Sequence, residues 1–264
     1  MEDKPMPKLT THYFDNLKIR RRGRYARAGK IRMYYETYGR GRPFLMLHGG
    51  LSCINGLRYQ IPFFARHFKV ILPERPGHGH TADTPGPYTY EALARQTAAF
   101  MDRLKIKKTR LMGYSDGANL IYWLAAHRPD LVDRFISVGG NFHASGCEPA
   151  FQHELKKQKA SEDARYNAYS PDGAGHFPEV FNKCRRLWLT QPRWKTSLIR
   201  KIRAPGLILA GDHDVIRHEH TLSLFRHLRH AQLALVPGAG HGLLKEKPAL
   251  ANRLMLDFLK EPTA

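Results

Sequence analysis

Short apolar runs recur along the chain, separated by longer stretches whose apolar residues repeat with a different period. "FLMLH" (44–48), "KVILP" (69–73), "TRLMG" (109–113), "RFISV" (134–138), "GLILAG" (206–211) and "QLALVP" (232–237) have the length of strands. Their near-continuous apolar character suits strands covered on both faces. Between most of them the spacing becomes helical. Segment 90–104 aligns Leu93, Phe100, Met101 and Leu104; 117–127 opens at Gly117 and stops near Pro129; 217–229 carries Leu222, Leu224, Phe225 and Leu228. A last helix starting at Pro248 presents Leu250, Leu254, Met255, Phe258 and Leu259. This alternation predicts an α/β fold, a mostly parallel doubly wound sheet with helices on both faces. Upstream, "GRYARAGKIRMYYETYG" reads as two extended segments around Ala28, Gly29 and Lys30, with Met33, Tyr35 and Tyr38 marking an apolar side: an N-terminal antiparallel hairpin.

One segment breaks the rhythm. Residues 144–200 are polar, interrupted at Pro149, Pro171, Pro178 and Pro192, and hold no convincing strand. A structureless loop of that length does not suit a compact domain. The division expected is a core of residues 1–143 and 201–264 and a small helical lid inserted at 144–200, where Phe177, Phe181, Leu187, Trp188 and Trp194 are available to close over something.

Composition narrows the class. A chain of 264 residues with 42% hydrophobic and 25% charged residues is globular rather than disordered or fibrous. It can bury roughly 70–75% of its unfolded surface. Its 43 Lys and Arg against 23 Asp and Glu give a net charge of +20, densest in "KIRRRGRYARAGKIR" at 18–32. Such a segment suits either a solvated basic hairpin or an arm that binds nucleic acid or an acidic surface by counterion release. Cys53, Cys147 and Cys184 are widely spaced and suggest neither a disulfide framework nor a zinc site. The N-terminus has no long apolar stretch, and no run of eighteen apolar residues occurs. A cytoplasmic protein without membrane spans is expected; oligomeric state is not readable.

The chemistry begins at "GYSDG", 113–117, where a serine follows a strand and opens a helix. In that context Gly113 and Gly117 remove side chains that would collide in a tight turn, and Ser115 is raised beside a helix N-terminus that favours developing negative charge. Downstream, "ILAGDHD" ends one strand with Asp212 and Asp214, and "LVPGAGHG" ends the next with His241. The order Ser, Asp, His is the one in which successive parallel strands deliver nucleophile, orienting acid and base to one sheet edge.

Together "HGG" (48–50), "GYSDG", "GDHD" (211–214) and "GHG" (240–242) resemble the α/β-hydrolase superfamily, from about residue 20 to the C-terminus. "PERPGHGHT" (73–81) is similar to the turn after the second parallel strand, with Pro76 where such turns often carry another residue. Nearest in character are small-lidded serine esterases and lactone hydrolases, including the branch around valacyclovir hydrolase, which shares a serine followed by Asp and Gly. The resemblance implies the α/β-hydrolase fold, with Ser115 as nucleophile, His241 as general base and then acid, and Asp214 as the orienting carboxylate. It makes Asp212 a loop brace, His213 a bystander and His48 a loop-bracing histidine. The oxyanion hole would use the N–H of Asp116 and one from Gly50 or Leu51. The Asp116 side chain either bonds local backbone or an Arg, or faces the pocket and selects cationic amines.

Phe142, His143, Phe177 and Trp188 are the expected substrate contacts. Arg58, Arg75, His78 and His176 have no direction readable from sequence. No cofactor is expected and no metal: there is no H-E-x-x-H, and His218 and His220 point to different sides of a helix. The function implied is hydrolysis of a small-molecule carboxylic ester, lactone or thioester through an acyl-enzyme. Alternatives on the same fold are an amidase or aminopeptidase, a carbon–carbon bond hydrolase and a perhydrolase; a different class is a basic binding module on a hydrolase scaffold.

Overall fold

The computed structural model describes residues 23–160 and 163–261. The polar leader and the first part of the basic run lie outside the described residues; Arg24, Arg27, Lys30 and Arg32 lie within them. Among the described residues eight strands form one sheet: β1 (Arg24–Ala28), β2 (Ile31–Tyr38), β3 (Pro43–Leu47), β4 (Lys69–Pro73), β5 (Thr109–Tyr114), β6 (Val132–Val138), β7 (Gly206–His213) and β8 (Ala231–Gly240). Their spatial order is β1-β2-β4-β3-β5-β6-β7-β8. β1 and β2 form the antiparallel hairpin and β2 pairs antiparallel with β4, while every later pairing is parallel. The hairpin, the six later strands and the mostly parallel sheet match the pattern read from sequence.

Side-chain alternation builds a core on each face. Phe44 and Met46 of β3, Val70 and Leu72 of β4, Met112 of β5 and Ile136 of β6 point to one side. Leu45 and Leu47, Ile71, Leu111 and Phe135 point to the other. Period two with apolar residues on both sides is what doubly covered strands require. The helices of six residues or more are α1 (Tyr90–Arg103), α2 (Asp116–His127), α3 (Pro149–Lys157), α4 (Ala164–Tyr169), α5 (Phe177–Thr190), α6 (His218–His227) and α7 (Pro248–Lys260). α1 is capped by the Thr89 hydroxyl, which accepts from Ala92 N at 3.1 Å, and it buries Leu93, Phe100 and Met101. α7 packs on the opposite face through Met255, Phe258 and Leu259, but Leu250 is 45% exposed, because it falls in the first turn on the solvent side. Arg134 of β6, 1% exposed, reaches under the sheet and donates through Nη1 to the Phe258 carbonyl at 2.8 Å in the last turn of α7. A cation there complements the helix dipole.

Within 144–200 the structure places α3, α4, α5 and the short helix Thr196–Ile199, all between β6 and β7. Pro149 and Pro178, expected as interruptions, sit in the first turns of α3 and α5, where a missing N–H costs nothing. α5 is tied to the turn after β4: Asp83, 6% exposed in its side chain, accepts from Lys183 Nζ at 2.6 Å and meets His176 Nε2 at 3.0 Å. Burial works against the Asp83 carboxylate, but the bonds from Lys183, Tyr88 and His176 outweigh it and hold its pKa below the ordinary value. No helix among the described residues is long and apolar enough to cross a membrane.

The edge hairpin carries an electrostatic cost. Arg27 and Arg32 are direct cross-strand partners, both exposed, and Arg32 lays its guanidinium over the Tyr25 ring at 4.2 Å. Like charges directly opposite are destabilising, although cations on an edge strand also deter pairing with other chains. Arg27→Glu is therefore expected to raise stability by about 0.5–1 kcal/mol in urea unfolding at low salt, and the gain should shrink toward zero near 1 M NaCl as screening removes it.

Candidate active site

The chain leaves β3 toward β4 on one side and reaches β5 on the other, so the C-terminal ends of β3 and β5 flank the point where the winding reverses. Loops splay apart there and open a crevice. Ser115 stands in it between β5 and α2 with φ +54° and ψ −117°, a left-handed conformation that costs a non-glycine residue about 1–3 kcal/mol. Its neighbours permit the turn. A Cβ on Gly113 would lie 2.3 Å from the carbonyl of Gly117, and one on Gly117 would lie 2.3 Å from the Leu47 carbonyl oxygen. Ser115 N donates to Val138 O at 2.8 Å, which ties the turn to β6.

His241, one residue past β8, presents Nε2 at 3.0 Å from Ser115 Oγ and Nδ1 at 2.7 Å from Asp214 Oδ1. The Asp214 side chain is 2% exposed and Oδ1 also accepts from Ile216 N at 3.1 Å. Which aspartate faces inward follows from backbone geometry. Gly211 lets β7 approach β8 so closely that a Cβ would lie 2.0 Å from the Ala239 carbonyl oxygen, and the register of the pair shifts between Gly211 and His213. Asp212 is turned outward and accepts from Ala239 N at 3.1 Å, His213 is exposed, and Asp214 enters the crevice. Gly139, at φ +59°, leaves the room: a Cβ there would press on both His241 and the Asp214 carboxylate. The Tyr114 hydroxyl donates to the His241 carbonyl at 2.9 Å.

Beside Ser115 lies a cavity of about 230 Å³ with Tyr90, Tyr114, Phe151, Trp188, Val215 and Ile216 among its walls. A second, about 330 Å³, adjoins it at Gly50 and Tyr114 and is bordered by Arg58, Tyr166 and Phe177. Of the expected substrate contacts, Trp188 lines the first and Phe177 the second. Phe142 and His143 line neither: Phe142 is buried against the His220 ring at 4.1 Å, and His143 turns to Ser145 Oγ at 2.7 Å. Burial against His220 removes the one, and the local turn captures the other. Tyr90, Val215 and Ile216 carry no mark of this in the sequence beyond one: the last two stand directly after Asp214.

The Asp116 side chain is 3% exposed, and both carboxylate oxygens have partners. Oδ1 accepts from the Tyr90 hydroxyl at 2.7 Å and from Trp188 Nε1 at 2.9 Å, and Oδ2 lies 3.5 Å from Arg75 Nη2. As the first residue of α2 its N–H is one of the helix's orphan donors. On the facing loop only one of the two anticipated donors remains a candidate. Leu51 N–H is directed to His78 Nε2 at 3.1 Å, so the second donor, if this loop supplies it, is Gly50.

Buried imidazoles brace these loops. His78 receives Leu51 N–H on Nε2, so its proton is on Nδ1, facing the Pro76 carbonyl at 2.8 Å. His48 likewise receives Arg75 N–H on Nε2 at 3.2 Å and directs Nδ1 to the Gly49 carbonyl at 2.8 Å. His220 receives Phe142 N–H at 3.1 Å. Burial, helped by Arg75, pushes the His48 pKa well below its ordinary value and that of His78 down to about 3. Burial and then Arg217 lower His220 to about 4. Burial also pushes the Cys147 thiol, on the first cavity's wall, up to about 11, so it is a neutral wall group. Among the described residues no three His, Cys, Asp or Glu side chains converge as a metal site.

Residues 42–163 match a family described as having the alpha/beta hydrolase fold. The chain is 29% identical to a 2-hydroxy-6-oxo-2,4-heptadienoate hydrolase of Pseudomonas putida over 90% of its own length and 96% of that protein. Among solved structures it is similar to a meta-cleavage product hydrolase from Pseudomonas fluorescens, with TM-score 0.79, 22% identity, and coverage of 90% of this chain and 97% of that one. It is also similar to the enol-lactonase from Burkholderia xenovorans, with TM-score 0.73, 21% identity, and coverage of 90% and 100%.

The neutral imidazoles set a pH dependence. Below pH 6.5 the unfolded chain takes up protons that the folded His48, His78 and His220 refuse, so stability present above that pH is lost as pH falls toward their folded values. Urea unfolding at pH 7.5 and pH 5 should show a marked loss, and His220→Gln should lose about 2 kcal/mol less over the same interval.

Proposed function

We propose that this chain, which belongs to the α/β-hydrolase superfamily, is a serine hydrolase that opens a carboxylic ester, lactone or thioester through an acyl-enzyme. The observation that carries the reading is the unbroken relay Ser115 Oγ, His241 Nε2, His241 Nδ1, Asp214 Oδ1, with contacts of 3.0 and 2.7 Å. His241 takes the hydroxyl proton as Ser115 attacks the carbonyl carbon. The buried Asp214 carboxylate holds the Nδ1 proton and supports the imidazolium. The tetrahedral oxyanion is met by the N–H groups of Asp116 and Gly50. Collapse breaks the bond to the leaving oxygen or sulfur, which leaves with the proton from His241. Water, deprotonated by the same imidazole, then attacks the acyl carbon and frees Ser115 and the acid. The apolar cavity beside Ser115 receives a small acyl group, and residues 144–200 form the lid that limits its size.

Carbon–carbon hydrolysis on the same three side chains is a second reading. It is favoured by the likeness, over nine-tenths of the chain, to a hydrolase whose name gives a 6-oxo-dienoate as its substrate. The two differ in the bond broken and share the nucleophile.

Intact-mass analysis after treatment with a fluorophosphonate should show one adduct on Ser115, and Ser115→Ala should fold, resist labelling and lose hydrolysis of short nitrophenyl esters. Asp214→Asn should lower kcat about a thousandfold or more. Full labelling and turnover by Ser115→Ala would remove the serine from the mechanism. A panel pairing nitrophenyl esters with a 2-hydroxy-6-oxo-dienoate sorts the two readings by relative kcat/KM.

A further inference from the structure

Arg75, in the turn after β4, is 2% exposed, and its buried counterion is Asp116. Its Nη2 donates to the Gly49 carbonyl at 2.8 Å and lies 3.5 Å from Asp116 Oδ2. Among the described residues its Nε and Nη1 are buried without a hydrogen-bond partner. An arginine buried at that cost is not explained by stability, since well-packed apolar residues generally serve a core as well or better. Its contacts suggest another use. The carbonyl it holds, together with His48 Nδ1 at 2.8 Å, belongs to the peptide whose N–H is that of Gly50. That peptide is trans, so pinning its oxygen aims the Gly50 N–H the opposite way. A hydrogen bond from a cation to the oxygen also polarises the peptide and strengthens its N–H as a donor. The other contact, Asp116, supplies the second N–H, and its Oδ2 packs so closely on Gly50 that a Cβ there would come within 2.5 Å.

We infer that Arg75 is a positioning residue of the oxyanion pocket, coupling the Gly50 and Asp116 donors into one rigid unit. The inference rests on the reading of Ser115 as nucleophile. It concerns geometry made for the tetrahedral state, so its loss falls on kcat and on affinity for tetrahedral adducts rather than on KM.

The test compares wild type with Arg75→Met, Arg75→Lys and the double variant Arg75→Met, Asp116→Asn, which leaves neither charge buried alone. Each is measured for kcat and KM on a nitrophenyl ester and for inhibition by an alkyl boronic acid, with circular dichroism reporting the folded fraction. Arg75→Met is expected to lower kcat roughly 10- to 100-fold with KM within about threefold, and to weaken boronate binding by a similar factor. Arg75→Lys should recover part of the loss. If Arg75→Met fails to fold, the double variant carries the test with the same kcat loss expected. A folded Arg75→Met or double variant with kcat within about threefold of wild type overturns the inference alone. A wild-type protein that is neither labelled at Ser115 nor active on any ester overturns the proposed function together with it.

Discussion

Where β5 turns into α2, backbone passes backbone at a distance that only glycine permits, and the crevice depends on that contact. Gly113 faces the Gly117 peptide and Gly117 faces the end of β3, each with no room for a Cβ. Ser115 between them is left in a strained left-handed conformation, stabilised from outside by its N–H bond to β6 and by Ala118 N–H, which donates to the Ser115 carbonyl at 2.8 Å. The strain lifts the hydroxyl clear of the strand and opens α2 directly behind it, so one local constraint sets both the position of the oxygen and the orientation of a helix N-terminus toward it. The close approach of Gly211 to β8 does the equivalent work for Asp214.

Around that contact the loops are held by polar groups buried without net charge, or nearly so. Three neutral histidines each take a backbone N–H on Nε2, at Leu51, Arg75 and Phe142. An imidazole used this way satisfies a loop amide that no strand can reach, at the expense of acid stability. The chain is strongly basic, while beside Ser115 the buried Arg75 is paired with the buried Asp116. The exposed cations of the β1–β2 edge form no part of the walls of the two cavities beside Ser115.

Much of this was legible in the sequence because periodicity is a local signal. The strand runs at 44–48, 69–73, 109–113, 134–138, 206–211 and 232–237 each fall within one residue of a strand or its end, since continuous apolar character over five or six residues between turns has few other uses. The glycines of "GYSDG" pointed to the turn for the same reason. What could not be read were directions. Phe142 reads as a pocket wall but packs against the His220 ring, and Leu51 reads as suitable a donor as Gly50 although His78, distant in sequence, captures its N–H. Arg75 follows an apolar run in a loop rich in histidine and glycine, where nothing in the local pattern distinguishes an arginine folded inward from one in solvent. Its burial is decided by Asp116 and Gly49, which the winding reversal between β3 and β5 brings beside it.

The Asp116 carboxylate illustrates how contact overrides composition. A carboxylate next to Ser115 suggests a pocket that selects cations, and Asp116 does border the cavity. Yet its oxygens are already met by Tyr90, Trp188 and Arg75, and the pair with Arg75 is formed between groups 2% and 3% exposed. At such burial a Coulombic interaction is far less screened than at the surface. An incoming ammonium would have to compete with a guanidinium that cannot leave without unpairing a buried charge, a cost of several kcal/mol. For the proposed hydrolysis the arrangement favours neutral acyl groups in the cavity beside Ser115, whose other walls are largely apolar. In the proposed mechanism Asp116 acts on the substrate through the N–H of its own peptide rather than through its charge.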